Sequence, residues 1–428
     1  MNMENVENDV IKGNAKGLLR KQYLLLFTLA TLYFANCFCR TSMVANQLNF
    51  VSEYAVKSSD VGLIIALFGV GNGLGQIINS IFVKHYNKRF SIAIPMLCEG
   101  VLAFSCFFAF DFQIYKFIWC GIGVCCSFLW MSIMKILSEN LDEKILGRAT
   151  VVLSICNGVG TGSSILVGSL LTHFEVYRLL FLIGGTLLVA IDILFFIISW
   201  NYKCSPKEYD TANETTEKKY RKLPLPKYAF VILASLIVFA PIASIGCDCI
   251  KTWSQTILYK SDEGFGLSKE IAIVFTAILP VIQTSCSAVG LLMRKKGLKY
   301  QMIISIIMIV ACVSLGTIML ALHYRILALF IVFSAIAYLM FYIMNNVLTN
   351  LLPLQIRSYY DSGILSGVLN GAAWCGSAIA TYCVPLLAEY AGWNSIYVLL
   401  ISLCGFVLAI AVLLLVIFNK KEEYKTIL

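Results

Sequence analysis

Three residues in this sequence carry charges where a lipid-spanning helix should have none. Arg40, Asp248 and Lys251 each lie inside a long apolar run. An ionisable side chain at the bilayer centre costs about 2.5–3.5 kcal/mol on insertion scales, so it is expected to face a bundle interior or a watered cavity. Arginine stays charged and presents a rigid fork of donors that matches a carboxylate or a phosphate. Arg40 is therefore a candidate anion ligand; the plainer alternative is a structural clamp on Asn side chains or backbone carbonyls. Asp248 and Lys251 stand three residues apart, on one helical face. Either they neutralise each other, or Lys251 is a second substrate ligand and Asp248 is the coupling, charge-balancing acid. If they cancel, one net positive charge remains, which suits a monoanion or zwitterion better than a phosphate dianion.

Uncharged polar candidates for the same cavity are Asn36, Asn72, Gln76, Asn157, Gln283, Asn345, Asn346 and Asn370. Each can equally be an interhelical hydrogen bond worth about 0.6 kcal/mol. Glu99 and Asp192 are read as a structural pair near one membrane face. Lys135 lies near a helix end, where its stem can snorkel to the interface. No enzyme chemistry is indicated. There is no P-loop and no His-Glu-x-x-His, and the three histidines (His85, His173, His323) each lie near a loop. Cys37-x-Cys39 and Cys247-x-Cys249 lack a neighbouring His, and a tetrahedral metal site usually needs four ligands. Neither a cofactor nor a metal is expected. Fifteen of the sixteen cysteines fall in apolar stretches, Cys204 being the exception, so they are read as small apolar residues.

The elements that must position these groups follow from composition. The 428 residues are 59% hydrophobic and 13% charged, against about 45–50% and 25% in soluble domains. Nucleic-acid binding, a secreted disulfide scaffold and disorder are excluded, and a polytopic all-α membrane protein remains. Twelve apolar runs are legible, at 22–47, 59–83, 90–110, 113–138, 148–172, 177–200, 228–258, 268–293, 300–322, 326–350, 362–388 and 393–418. The polar stretch 201–227, with Lys218, Lys219, Arg221, Lys222, Pro224 and Pro226, divides them into two sets of six. The expected organisation is an N-tail (1–21), a six-helix bundle (22–200), a linker (201–227), a second bundle (228–418) and a C-tail (419–428). No cleavable signal peptide is expected, because residues 1–21 are polar.

Lys and Arg resist translocation. With both termini cytoplasmic, 24 Lys and Arg fall on the cytoplasmic side and six on the other, leaving Arg40, Lys135 and Lys251 within the membrane. That ratio sets the expected orientation and accounts for the net charge of +9 without a nucleic-acid partner. A constant offset of 210 carries Cys37 and Cys39 onto Cys247 and Cys249, Ser58 onto Ser268, and the basic loop Lys84–Arg89 onto Arg294–Lys299. It supports a duplicated half, and tandem six-helix halves hold substrate near the midplane between them. Glycines alternate at 69, 71, 73 and 75, at 121 and 123, and at 158, 160 and 162. Such spacing does not stay on one face, so several faces of these helices are expected to pack closely. Pro241 and Pro280 are candidate bends.

The loops Ser80-Ile-Phe-Val-Lys-His-Tyr-Asn-Lys-Arg89 and Gly290-Leu-Leu-Met-Arg-Lys-Lys-Gly-Leu-Lys299 resemble the signature Gly-x-x-x-Asp-Arg-x-Gly-Arg-Arg of the major facilitator superfamily. Both copies keep the basic tail and lose the acid, with Lys84 and Arg294 in its place. Three stretches are similar to the organophosphate:phosphate antiporter and sugar-phosphate permease branch: Tyr33–Val44, Gly69–Gln76, and Asn370–Ser377 leading to Tyr390–Asn394. That branch grips phosphate with one Arg from each half, and Arg40 and Lys251 resemble such a pair. It also carries a Lys near the position of Gln76 and a His in the fifth helix, and this sequence has neither. The resemblance implies a monomeric secondary transporter of a bacterial inner membrane, moving a small organic anion by alternating access with a coupling ion or counter-substrate. The alternatives are a drug or cation exporter and a transporter-like sensor.

Overall fold

The computed structural model describes residues 3–82, 85–141, 143–202, 204, 229–260, 262–286, 300–355 and 362–419. Most of the linker (205–227), the basic loop 287–299 and Lys84 lie outside them, and with that loop the last residues, 287–293, of the eighth apolar run.

The described residues form helices and no strand. In the first half these are α1 (Met3–Glu53), α2 (Ser58–Phe82), α3 (Lys88–Cys106), α4 (Phe112–Cys126), α5 (Leu129–Asn140), α6 (Glu143–His173) and α7 (Leu179–Ser199). In the second they are α8 (Ala229–Tyr259), α9 (Lys269–Gln283), α10 (Tyr300–His323), α11 (Leu327–Asn346), α12 (Ser362–Ala391) and α13 (Asn394–Asn419). Eleven spans among the described residues are long and apolar enough to cross a bilayer. The remaining expected span, 268–293, is described only as far as residue 286. This is an all-α, multi-pass membrane protein of two six-helix bundles.

Three boundaries depart from the hydropathy pattern, each for a local reason. α1 begins at Met3 rather than residue 22, because polar residues form helix as readily as apolar ones when no Pro or Gly cluster stops them. The fourth span is split. Its α4 part ends at Ser127, whose hydroxyl donates to the Val124 carbonyl at 2.7 Å and accepts from Asn79 at 2.9 Å. The tenth span closes in a π-turn over Val347–Leu351. Pro353 has no N–H to return to the Thr349 carbonyl, and the Ser366 hydroxyl donates to that oxygen at 2.8 Å. By contrast α8 and α9 run unbroken through Pro241 and Pro280.

The alternate glycines do face two ways. A Cβ on Gly73 would lie 2.9 Å from the Gly371 carbonyl of α12, and one on Gly71 would lie 2.8 Å from the Cys120 carbonyl of α4. In α6, Gly162 abuts Ala277 and Val281 of α9 while Gly160 abuts Phe34 and Cys37 of α1. Gly73 and Gly162 bring helices together at the seams between the halves, α2 on α12 and α6 on α9, while Gly71 and Gly160 do so within the first half. The two seams are equivalent under the duplication, since each joins the second helix of one half to the fifth of the other.

At the membrane face opposite the chain termini, the first helices of the two halves are clasped. Gln47 donates to the Thr252 carbonyl at 2.5 Å, and Gln255 donates to the Val44 carbonyl at 2.7 Å. The Ser169 hydroxyl donates to the Glu270 carbonyl, and the Ser59 N–H to Glu389. We expect Gln47→Leu with Gln255→Leu to open this face, read as faster labelling of cysteines introduced beneath it. Labelling unchanged from wild type would show that the clasp does not hold the face shut.

Cys204, the one cysteine in a polar stretch, is buried, and its carbonyl accepts from Lys88 N–H at 3.0 Å.

Candidate functional site

Between the halves lies a cavity with about 1500 Å³ of empty space, open solvent included. α1 supplies Asn36 and Arg40 to its wall, α2 supplies Gln76 and α6 Asn157. Asp248 and Lys251 come from α8, Gln283 from α9, Asn345 and Asn346 from α11, and Asn370 from α12. The cavity therefore gathers the candidates from seven helices and from residues more than 300 apart in sequence. Asn72 is the exception: it is fully buried behind the wall, and its Oδ1 accepts from Gln76 Nε2 at 3.1 Å. It positions Gln76 and has no access to the cavity.

Arg40 is the best-placed ligand. The bundle turns its side chain inward, because α1 packs on α6 and α7 along its other faces. Its Nη2 lies 3.4 Å from Asn157 Oδ1, and Nη1 lies 3.9 Å from Cys126 Sγ. Its guanidinium stands 5.5 Å from the ring centroid of Trp374, which comes from the other half. No carboxylate pairs with it among the described residues. The three contacts are a long hydrogen bond, a weak sulfur acceptor and a π-face, none of which neutralises a full charge. Asn157 also donates to the Tyr33 hydroxyl at 3.3 Å and to the Tyr342 hydroxyl at 3.5 Å, tying the Arg40 neighbourhood to the second half.

Lys251 and Asp248 form a contact ion pair on one turn of α8, both partly exposed to the cavity. Gln283 accepts from the Tyr338 hydroxyl. Asn346 donates to Cys286 Sγ at 3.2 Å, while Asn345 Oδ1 has no partner among the described residues. Asn36 lines the cavity, yet its amide is committed: Nδ2 donates to both oxygens of Glu99 at 2.9 Å.

Glu99 departs from its expected place. Rather than pairing with Asp192 near a membrane face, it is fully buried beside α1, bonded to a residue of the cavity wall. The seventh residue along α3 from Glu99 is Cys106, at the far end of the helix, so the carboxylate sits well inside the bundle. Lys135 behaves as expected of a group near a helix end, pairing with Glu139 at 3.3 Å.

The aromatic side chains escape a reading based on polarity. Tyr33, Trp130, Tyr338, Tyr342 and Trp374 line the cavity, and Tyr33 packs on Trp130 at 5.4 Å between centroids. In a membrane span such residues are indistinguishable from lipid-facing apolar ones until helix orientation is known. The cavity combines one uncompensated cation, one internal ion pair, several amides and an aromatic wall. Such a surface can bind and orient a small anion with an organic body, and it contains no nucleophile–base pair. Among the described residues no group of His, Cys, Asp and Glu can hold a metal.

The fold has known counterparts. A bacterial homologue of the human lysosomal transporter Spinster, in an inward-facing unoccupied conformation, superposes with a TM-score of 0.69 at 14% identity, covering 94% of this chain and 98% of that one. A D-xylose–proton symporter gives 0.68 at 16% identity, covering 91% and 96%. The nucleoside transporter NupG gives 0.67 at 14% identity, covering 91% and 99%. At these identities the likeness is one of fold. No curated protein sequence matches the chain. The sequence profile described as Major Facilitator Superfamily matches residues 29–360. That match, over more than three quarters of the sequence, identifies the chain as a member of the major facilitator superfamily of transporters.

Proposed function

We propose that this protein is a secondary active transporter of a small organic anion, working by alternating access in the plasma membrane with both termini cytoplasmic. The domain limits that go with this reading are 22–200 and 228–418, joined by a cytoplasmic linker. The observation that carries the proposal is Arg40, a permanent cation in the cavity wall with no carboxylate partner among the described residues. Lining a polar cavity lowers the cost of that charge, and an incoming carboxylate or phosphate supplies the missing counter-ion. The amides of Asn157, Gln76, Gln283 and Asn370 and the aromatic wall orient the organic body. A phosphorylated substrate remains within this reading, through the likeness of Tyr33–Val44 to the organophosphate branch. The absence of a Lys at Gln76 and the Asp248–Lys251 pair favour a monoanion.

Asp248 holds Lys251 in reserve. An anion that displaces the carboxylate recruits the second half of the protein to the substrate, and the carboxylate recovers the ammonium when the anion leaves. Asp248→Asn should therefore bind anions about tenfold more tightly, a difference of about 1.4 kcal/mol, and release them more slowly. Equilibrium binding together with the maximal transport rate checks this: tighter binding with a lower rate is expected, and unchanged affinity would mean the pair is only structural. A thermal-shift screen of the purified protein against a panel of carboxylates and phosphate esters tests the substrate class. Stabilisation by anions that Arg40→Ala abolishes is the expected result; stabilisation by organic cations alone would overturn it.

A further inference from the structure

The mechanism above leaves two buried acids unused, Glu99 and Asp192. Glu99 has no exposed surface, and its only hydrogen-bond donor among the described residues is the neutral Asn36 amide, shared between both oxygens at 2.9 Å. Asn36 itself forms part of the cavity wall, and Arg40 lies one helical turn further along α1 on the same face. A buried carboxylate without a contacting cation is held ionised only at considerable cost.

The groups facing Glu99 can be named helix by helix. α1 presents Arg40, Cys37 and Cys39; α4 presents Cys125 and Cys126; α7 presents Asp192. On α5, Lys135 and Glu139 are occupied with each other, and Glu139 also pairs with Lys88 of α3. Arg40 is thus the cation that acts on Glu99, through its field rather than by contact. Asp192 is a second buried acid in electrostatic range, and its Oδ1 lacks a partner among the described residues.

We propose that Glu99 is a proton-binding site linked through Asn36 and Arg40 to the anion site, so that the protein takes up one proton with each anion. This rests on the reading of Arg40 as the anion ligand. With the cavity empty, the field of Arg40 reaches Glu99 across one turn of α1, with no contact that neutralises either group. An anion bound at Arg40 cancels that field and leaves Glu99 as an uncompensated buried charge, which then takes a proton from cavity water. Linkage is reciprocal, so a protonated Glu99 strengthens anion binding. The proton reaches an oxygen of Glu99 when the Asn36 amide swings aside, and on release it returns to water by the same route. Asp248, already bonded to Lys251, is not required to carry it.

The test needs no substrate. Infrared difference spectra of the full-length purified protein, titrated from mildly acidic to alkaline pH, should show the carbonyl band of a protonated buried carboxylic acid, shifted in D2O and absent in Glu99→Gln. In Arg40→Met the band should persist to a pH about one unit higher, a tenfold change in proton affinity. If Glu99→Gln does not fold, Glu99→Asp should keep the band at a displaced frequency, and the Arg40→Met comparison stands on the native acid. A band retained in Glu99→Gln and lost in Asp192→Asn would overturn the assignment, as would a Glu99 band indifferent to Arg40→Met. Failure of the anion reading appears separately, as anion stabilisation that survives Arg40→Ala.

Discussion

Arg40→Lys should reduce uptake of the anionic substrate about 100-fold while leaving folded protein in the membrane. Lysine keeps the charge but loses the planar fork, and it cannot span both Asn157 Oδ1 at 3.4 Å and the Trp374 ring from one position. Removing one partner of a desolvated, hydrogen-bonded charge pair costs about 2–5 kcal/mol, and a tenfold change in affinity corresponds to about 1.4 kcal/mol. Arg40→Ala should be at least as damaging. Initial uptake rates in proteoliposomes, normalised to protein recovered as a monodisperse peak, give the comparison. Arg40→Ala transporting at the wild-type rate would remove the anion-site assignment entirely. Loss of the monodisperse peak would instead give Arg40 a structural role.

The second large effect should come from the seam between the halves. Gly73→Val places two methyl groups where a single Cβ already comes within 2.9 Å of the Gly371 carbonyl and 3.2 Å of Trp374 Cβ. The obstructing atoms are a backbone carbonyl and a Cβ fixed to a packed helix, so α12 must move away from α2 or the bundle must loosen. Overpacking of this kind costs about 1–3 kcal/mol. Trp374 is also the ring against which Arg40 lies, so the displacement reaches the cavity. Transport should fall at least tenfold and the melting temperature should drop. Gly405→Val is the control: a Cβ there meets nothing within 4 Å, and both quantities should stay at wild-type values. Equal effects at the two positions would mean that valine acts by helix propensity and that the seam is unimportant.

The architecture was legible because the bilayer enforces it. Long apolar runs, basic loops on one side and a polar divider predict twelve spans in two sets, and among the described residues eleven of those spans are present. The glycine spacing at 69–75 also predicts packing on two faces, because residues two apart on a helix point in different directions. The cavity was partly legible. A charge or an amide in a membrane span must find polar company, which is why Arg40, Lys251 and Asn157 converge. The same logic cannot distinguish company in the cavity from company behind it. Asn72 supports Gln76 from behind the wall, and Glu99 joins Asn36 from α3, a helix that contributes no residue to the cavity wall. The aromatic wall carried no signal at all, since polarity was the only guide to orientation within a span. The split after Cys126 and the π-turn at Val347–Leu351 depend on single hydroxyl groups meeting particular carbonyls, a matter of tertiary position that no window of sequence contains.

The clasp at the face opposite the termini has an electrical consequence. Its two central bonds use neutral amides, Gln47 on the Thr252 carbonyl and Gln255 on the Val44 carbonyl. Breaking them displaces no formal charge. A membrane voltage does work only on charge that moves, about 2.3 kcal/mol per elementary charge per 100 mV. The opening of this face is therefore blind to voltage at its hinge line. The field acts instead on whatever occupies the cavity: Arg40, the Asp248–Lys251 pair, the cargo and its proton. Voltage sensitivity in this transporter should report the load it carries across the membrane, while the shutter that admits the load turns freely.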